Sequence, residues 1–152
     1  MTIKAITSDS VAHIVIQRLL ASWRTLVLLG FVMFPFASHA AEGAEFSVRD
    51  VNATEAAELL ASNPDIRVLD VRTGLEFRRG HIEDAVNINY YSWRFKGNLD
   101  KLDKDVTWLV HCHSGVRSGK TLPLMRAAGF SNVIHLTDGI VDWNKSGLPV
   151  VK

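Results

Sequence analysis

The single cysteine of the chain, Cys112, lies between a strand-like run and a predicted helix. Residues 106–110 are mostly apolar, and the apolar spacing after Arg117 predicts a helix that ends near Gly129. The first backbone N–H groups of a helix lack partners and carry the positive end of its dipole. A thiol placed there loses its proton more easily, so Cys112 is a candidate thiolate nucleophile.

The residues after Cys112 have the composition of an anion-binding loop. Arg117 adds a positive charge, Gly115 lets the backbone curl, and small side chains leave the amides free to surround an anion. The alternative is a buried cysteine that acts as a small hydrophobic residue, the commoner role of a lone cysteine. The polar neighbours favour the nucleophile. The candidate binding residues are His113, Ser114, Gly115, Val116, Arg117 and Ser118.

Three further residues invite a structural interpretation. Asp70 and Arg72 lie at the end of a β-branched run, and we interpret them as an ion pair that positions other groups. His81 stands at a predicted turn, with no second histidine or cysteine at ligand spacing, so no metal site is predicted. For His113 three interpretations stay open: it senses the charge of the substrate, it raises the thiolate fraction of its neighbour, or it is an exposed loop residue with no role.

Strands alternate with helices along the chain, which predicts an α/β fold with a mainly parallel sheet. Capping boxes at residues 52–55 and 73–76 predict two helix starts. Strands are predicted at residues 46–48, 66–71, 85–88, 106–110 and 131–136, and helices at residues 53–62, 74–80, 98–102, 117–128 and 140–146. Ligands bind at the carboxyl ends of parallel strands, and Cys112 directly follows one.

Three motifs, in order, resemble those of the single-domain rhodaneses, a family of thiosulfate sulfurtransferases. Residues 112–118 resemble the family loop of Cys, two variable residues, Gly, one variable residue, Arg, and Ser or Ala. Residues 68–88 are similar to its Asp-Val-Arg and Gly-His-Ile-x-x-Ala-x-Asn signatures. Residues 138–150 resemble its closing Gly-Gly, Trp and Gly-x-Pro segment, although Asp138 replaces the first glycine. That replacement predicts either a different turn or a carboxylate near the site.

The resemblance covers residues 46–151 and implies a rhodanese-like fold, with a central, mainly parallel five-stranded sheet flanked by helices. It also implies that Cys112 takes sulfane sulfur from a small anionic donor such as thiosulfate and passes it to cyanide or a thiol acceptor. The segment from Asp70 to Glu76, with Asp70 and Arg72, would brace the loop. This chemistry needs neither a metal nor an organic cofactor.

Two rival functions use similar residues. Phosphatases with a cysteine nucleophile have five residues between Cys and Arg, whereas this loop has four, which argues against a phosphatase. The other rival is a sulfur-carrier or partner-binding module with little turnover, and fold and loop alone do not exclude it.

The first forty residues have the layout of a secretory signal peptide. Residues 25–37 carry no charge, follow Arg18 and Arg24, and precede small residues around Ala40. The run is shorter than the roughly 20 apolar residues of a membrane span. We therefore predict a signal peptide at residues 1–40, a rhodanese-like domain at residues 41–152, and a periplasmic or secreted protein; a retained anchor is the alternative.

The composition of the chain limits its partners. With 152 residues and 47% hydrophobic content, one core is expected. Beyond residue 40 the sequence is near neutral, without a basic run, which argues against nucleic acid and membrane partners. No long apolar stripe remains, which predicts a monomer. The aromatic and cationic residues 90–97 either line the mouth of the site or pack over the core.

Overall fold

The computed structural model describes residues 45–152. The predicted signal peptide, at residues 1–40, lies outside the described residues, as do the first four residues of the predicted domain. No helix within residues 45–152 has the length and apolar character needed to cross a membrane.

The described residues form a five-stranded sheet in which every strand pair is parallel. The strands are β1 (Ser47–Val51), β2 (Arg67–Asp70), β3 (Val86–Asn87), β4 (Trp108–His111) and β5 (Asn132–Leu136). Their order across the sheet is β1-β5-β4-β2-β3. The helices are α1 (Ala53–Ser62), α2 (Gly74–Arg79), α3 (Phe95–Leu99), α4 (Val116–Ala127) and α5 (Gly139–Lys145). The predicted α/β class and five strands are confirmed.

Helices cover both faces of the sheet, so the strands are buried on both sides. On one face, α1 and α5 pack against strand residues that include Leu109 and Leu136. On the other face, α3 and α4 pack against strand residues that include Leu69 and Val110. Neighbouring residues of β4 thus belong to opposite cores, as the two-residue period of a strand requires. This packing fixes the end of β4, where Cys112 follows.

Both predicted capping boxes are present. Asn52 accepts a hydrogen bond from the Glu55 amide at 2.9 Å, and the Glu55 carboxylate accepts one from the Asn52 amide at 3.1 Å. The Thr73 side chain and Glu76 form the same reciprocal pair at the start of α2. Each box satisfies amides that the first helical turn leaves without partners. The first box sets the start of α1 at the predicted residue.

The predicted helix at residues 98–102 was wrong by about one turn. The helix α3 spans Phe95–Leu99, and its two end residues are buried on the same face. Burial of the Phe95 ring, which meets the Tyr90 ring edge-on at 5.3 Å, draws the helix start towards the core. Beyond α3 the Lys104 ammonium donates to the carbonyls of Leu99 and Leu102, at 2.8 Å and 2.6 Å. Because these carbonyls already accept hydrogen bonds from Lys104, no further turn of helix is needed to satisfy them.

Two glycines allow the loop after β4 to interlock with the segment after β5. Gly115 has φ +82°, and a Cβ there would lie 1.6 Å from the Thr137 carbonyl oxygen. Gly139 has φ +60°, and a Cβ there would lie 2.5 Å from the Cys112 carbonyl oxygen. Only glycine combines this left-handed conformation with such close backbone contact. The path of the loop therefore depends on both positions.

We expect Gly115→Ala to lower the free energy of unfolding by about 3 to 5 kcal/mol, because the new methyl group meets backbone in a strained conformation. The matched control is Gly97→Ala in α3, where a Cβ meets nothing within 4 Å. That control should be neutral or stabilising by up to about 1 kcal/mol. Urea unfolding measures both, and equal stability of the two variants would contradict the interlocked loop.

Candidate active site

Cys112 lies at the carboxyl end of β4, at the edge of the sheet where parallel strands place ligands. The loop that follows is held by its backbone, because the amides of Ile140 and Val141 in α5 donate to the carbonyls of Cys112 and His113, at 2.9 Å and 3.1 Å. With its carbonyls engaged by α5, the loop is free to direct its own amides to the sulfur.

The Cys112 sulfur is buried and surrounded by hydrogen-bond donors. The residue is 1% exposed, and the Ser118 hydroxyl lies 3.5 Å from Sγ. Burial raises the pKa of the Cys112 thiol, but hydrogen bonds from the Ser118 hydroxyl and from the amides of Ser118, Ser114 and Arg117 outweigh burial and lower the pKa below its ordinary value. The arrangement can therefore hold a sulfur anion.

The six residues predicted to bind an anion differ in how they face the sulfur. The side chains of His113, Ser114 and Val116 are exposed. Gly115 and Ser118 are buried. His113 lines a cavity of about 300 Å³ together with residues of α2 and α5. Of the six side chains, that of Ser118 hydrogen-bonds to the sulfur.

The Arg117 guanidinium is paired with a carboxylate. Its two terminal nitrogens donate to the two Glu76 carboxylate oxygens, Nη1 at 2.9 Å and Nη2 at 2.6 Å. These bonds hold the pKa of the Glu76 carboxyl far below its usual range, and they raise the pKa of Arg117. The sequence predicted a cation available to an anion, whereas the structure ties this cation to α2. Arg117 thus anchors the loop with its charge largely compensated.

The aromatic segment at residues 90–97 was predicted either to line the mouth of the site or to pack over the core, and different residues of the segment do each. Tyr90 and Phe95 pack against each other and join the core. Tyr91 is exposed, and its ring centroid lies 5.7 Å from the Arg117 guanidinium carbon. Trp93 is also exposed and carries the Arg94 guanidinium over its ring at 4.4 Å. One part of the segment packs over the core, and Tyr91 lies beside the loop.

Asp70 and Arg72 form a buried ion pair. Arg72 Nη2 donates to Asp70 Oδ2 at 2.6 Å and to the Gly80 carbonyl at 2.8 Å. Asp70 Oδ2 also lies 3.7 Å from Nε2 of His111, the residue before the cysteine. Desolvation lowers the pKa of the buried His111, against the opposing charge of Asp70. The pair therefore lies beside His111 at the end of β4.

The remaining predicted features lie outside the immediate loop. The His81 ring stacks on the Phe77 ring, with centroids 3.7 Å apart, and its Nδ1 lies 3.1 Å from the Phe77 carbonyl oxygen. These contacts are structural.

Asp138 has φ −99° and an exposed side chain. Any residue adopts this conformation, so the turn before α5 does not need a glycine there. Within residues 45–152, no three potential metal ligands cluster.

Two residues near the site were not predicted as site residues, and the partner of a third was not predicted. The sequence predicts Glu76 in a helix cap, and the resemblance places it in the segment that braces the loop, but nothing in its spacing indicates that it pairs with Arg117. His135 and Asp50 are partners across the parallel strands β5 and β1, and they continue a hydrogen-bonded line from Ser118. Asp50 lies beyond the strand predicted at residues 46–48, so its place in β1 was not foreseen.

We expect Glu76→Gln to lower the free energy of unfolding by about 1 to 3 kcal/mol near neutral pH, because the charged hydrogen bonds to Arg117 are lost. A carboxyl whose pKa is lowered by folding stabilises the protein above its unfolded pKa, about 4.3 for glutamate, and loses that contribution as pH falls towards the folded pKa.

The difference between wild type and Glu76→Gln should therefore be full at neutral pH and should shrink below about pH 4.3. Urea unfolding at a series of pH values measures it. Glu58→Gln, at an exposed position of α1, is the matched control and should change little. A difference independent of pH would show that the carboxylate charge does not hold Arg117.

Comparison with known proteins identifies the family. Residues 52–146 match the rhodanese-like domain family. A sulfurtransferase from Allochromatium vinosum is 28% identical over 104 residues, which cover 68% of this chain and 95% of that protein. A probable adenylyltransferase/sulfurtransferase MoeZ from Mycobacterium tuberculosis is 34% identical over 113 residues, 74% of this chain, and the match spans only 28% of that larger protein.

The fold has solved counterparts. The crystal structure of a rhodanese-related protein from Thermoplasma volcanium matches with a TM-score of 0.59 and 30% sequence identity, covering 68% of this chain and 97% of that one. The family match covers more than half of the chain, and it includes β4, the cysteine loop and both glycines that shape it. The chain belongs to the rhodanese-like domain family.

Proposed function

We propose that this protein is a sulfurtransferase that carries sulfane sulfur on Cys112. The observation that supports it most directly is the set of donors around one buried sulfur, the Ser118 hydroxyl and three loop amides, which lowers the pKa of the thiol. A thiolate is the reactive form of cysteine towards a sulfur donor. The family match and the sulfurtransferase from Allochromatium vinosum are consistent with sulfur transfer.

The proposed donor is thiosulfate or a related small anion. In the first half-reaction the Cys112 thiolate attacks the outer sulfur, a new S–S bond forms, and the donor S–S bond breaks as sulfite leaves with the electron pair. In the second, cyanide or a thiolate attacks the outer sulfur of the persulfide. The Cys112 thiolate is then the leaving group, so the enzyme returns to its starting state without a net redox change.

The loop residues would act in both half-reactions. The amides that hydrogen-bond to the thiolate would also stabilise the persulfide anion, because they are fixed in place and lie in a site that excludes water. Arg117 would contribute by closing the loop onto α2 through Glu76, and Asp70 with Arg72 would brace the strand end beneath it. The exposed His113, beside the small cavity, would meet the incoming anion.

A second candidate is a sulfur carrier or partner-binding module with little turnover on small molecules. It is favoured by the match to MoeZ, in which the similar region is 28% of a larger protein. Both candidates load sulfur on Cys112. They differ in turnover, because a carrier becomes labelled but does not cycle rapidly between thiosulfate and cyanide.

The intact mass of the purified protein tests sulfur loading. After thiosulfate the wild type should gain about 32 Da, one sulfur atom, and cyanide should remove that mass again. Cys112→Ala should gain nothing. Loading followed by repeated turnover supports the enzyme, whereas loading without turnover supports the carrier. A free, reactive Cys112 that gains no mass with thiosulfate, polysulfide or another sulfane donor would contradict both candidates.

We also propose that residues 1–40 are removed during export and that the protein works in the periplasm or outside the cell. The uncharged run and the small residues near Ala40 support this. The unloaded mass of the same sample, isolated from the native host, should correspond to a chain beginning at Ala41. A full-length mass in the cytosolic fraction would contradict export.

A further inference from the structure

A line of hydrogen-bonding groups leads from the Cys112 sulfur to an exposed carboxylate. Sγ lies 3.5 Å from the Ser118 hydroxyl, the hydroxyl lies 3.1 Å from His135 Nε2, and His135 Nδ1 lies 2.9 Å from Asp50 Oδ1. The His135 side chain is 11% exposed and that of Asp50 is 67% exposed. The first three groups are therefore shielded, and the line reaches solvent at Asp50.

The chemistry of these groups decides which atoms carry hydrogens. An ionised carboxylate only accepts hydrogen bonds, so His135 must carry a hydrogen on Nδ1 to donate to Asp50. In a neutral ring Nε2 is then an acceptor. The Ser118 hydroxyl has one hydrogen and three acceptors within reach, namely Sγ, Nε2 and the Gly115 carbonyl oxygen at 2.9 Å.

Protonation of His135 therefore changes the acceptor to which the Ser118 hydroxyl donates its hydrogen. When Nε2 carries a hydrogen, it donates to the Ser118 oxygen, and the hydroxyl hydrogen is released to bond to the sulfur. When Nε2 is bare, it competes with the sulfur for that same hydrogen. The protonated ring and the thiolate consequently favour each other, although they do not touch.

We propose that His135, acting through Ser118 and held by Asp50, is a positioning residue that accepts the proton of the Cys112 thiol. The thiol hydrogen passes to the Ser118 oxygen as the hydroxyl hydrogen passes to Nε2. One S–H and one O–H bond break, one O–H and one N–H bond form, and the products are a thiolate and an imidazolium facing the Asp50 carboxylate. An imidazole can take up and return a proton near neutral pH. This inference rests on the proposed function, in which Cys112 reacts as a thiolate.

Within the described residues, the side chains that hydrogen-bond to the His135 ring are those of Asp50 and Ser118. On one side, β1 presents Asp50, its register partner. On the other side, β4 presents Val110, which carries no charge, and beyond it the Cys112 thiol. From α4 the ring meets the Ser118 hydroxyl and Gly119, where a Cβ would lie 3.8 Å from Cε1. The neighbouring cation, Arg117, is engaged by Glu76.

The test is the alkylation rate of Cys112 by iodoacetamide as a function of pH, on the full chain, which has one cysteine. The rate follows the thiolate fraction. His135→Gln and Ser118→Ala should each raise the pH at half-maximal rate by about one unit or more, and so slow alkylation about tenfold near neutral pH. Asp50→Asn should also raise the pH at half-maximal rate, but by a smaller amount.

Two comparisons separate a proton-accepting role from a merely structural one. Glutamine places an amide near the position of Nε2 and can bond to Ser118 without taking a proton. If His135→Gln keeps the wild-type profile, the ring only holds Ser118 in place and the proposal is overturned. Asp100→Asn, at an exposed position after α3, is the matched control for Asp50→Asn and should leave the profile unchanged.

Folding and function can be told apart in the same series. Thermal unfolding of each variant identifies any loss of structure, and Asp50→Asn changes an exposed group, so it remains informative if a buried substitution fails to fold. An unchanged profile in a folded Asp50→Asn together with Ser118→Ala would also overturn the proposal. Alkylation needs no sulfur donor, so the two failures can be distinguished: shifted profiles without sulfur loading would refute sulfur transfer, whereas sulfur loading with unshifted profiles would refute the role of His135.

Discussion

A buried thiolate is stable only where hydrogen-bond donors replace the water that the sulfur has lost. Cys112 meets this condition because the chain turns sharply between β4 and α4, so that amides and one hydroxyl converge on the sulfur. The turn requires a left-handed conformation at Gly115 and close approach of Gly139 to the loop carbonyls. The chemistry proposed for the site follows from this geometry of the backbone more than from any single charged side chain.

The charged groups around the loop hold that geometry. The Arg117 guanidinium donates hydrogen bonds to the Glu76 carboxylate. The Arg72 guanidinium donates to the Asp70 carboxylate and to the Gly80 carbonyl. Each pair ties the loop or the strand end to the segment around α2. A cation paired in this way adds little net charge at the sulfur, so the site stabilises an anion mainly through oriented dipoles. Such fixed dipoles need not reorganise when charge moves.

Much of the fold could be predicted from local patterns. The capping boxes at Asn52 and Thr73 give helix starts because their contacts are three residues apart, and the β-branched runs give strands because both faces are buried. The bounds of α3 were missed because burial of Phe95, a tertiary effect, decides where that helix begins.

The cysteine loop could be singled out from the sequence because its residues are contiguous. The partners of that loop were not predictable from spacing. The ion pair between Glu76 and Arg117, and the line from Ser118 through His135 to Asp50, join segments brought together only when the strands pair. Asp50 and His135 are separated by 85 positions and become neighbours because β1 lies beside β5.

The hydrogen-bond donors of the cysteine loop should lower the pKa of the Cys112 thiol. A titration of the ultraviolet absorbance of the thiolate measures this directly, with Cys112→Ala subtracted as the blank. We expect a midpoint below that of a free cysteine, about 8.5, because the loop donors favour the anion. A midpoint at or above that value would show that burial outweighs the hydrogen bonds, and it would contradict the proposed role of the loop in activating Cys112.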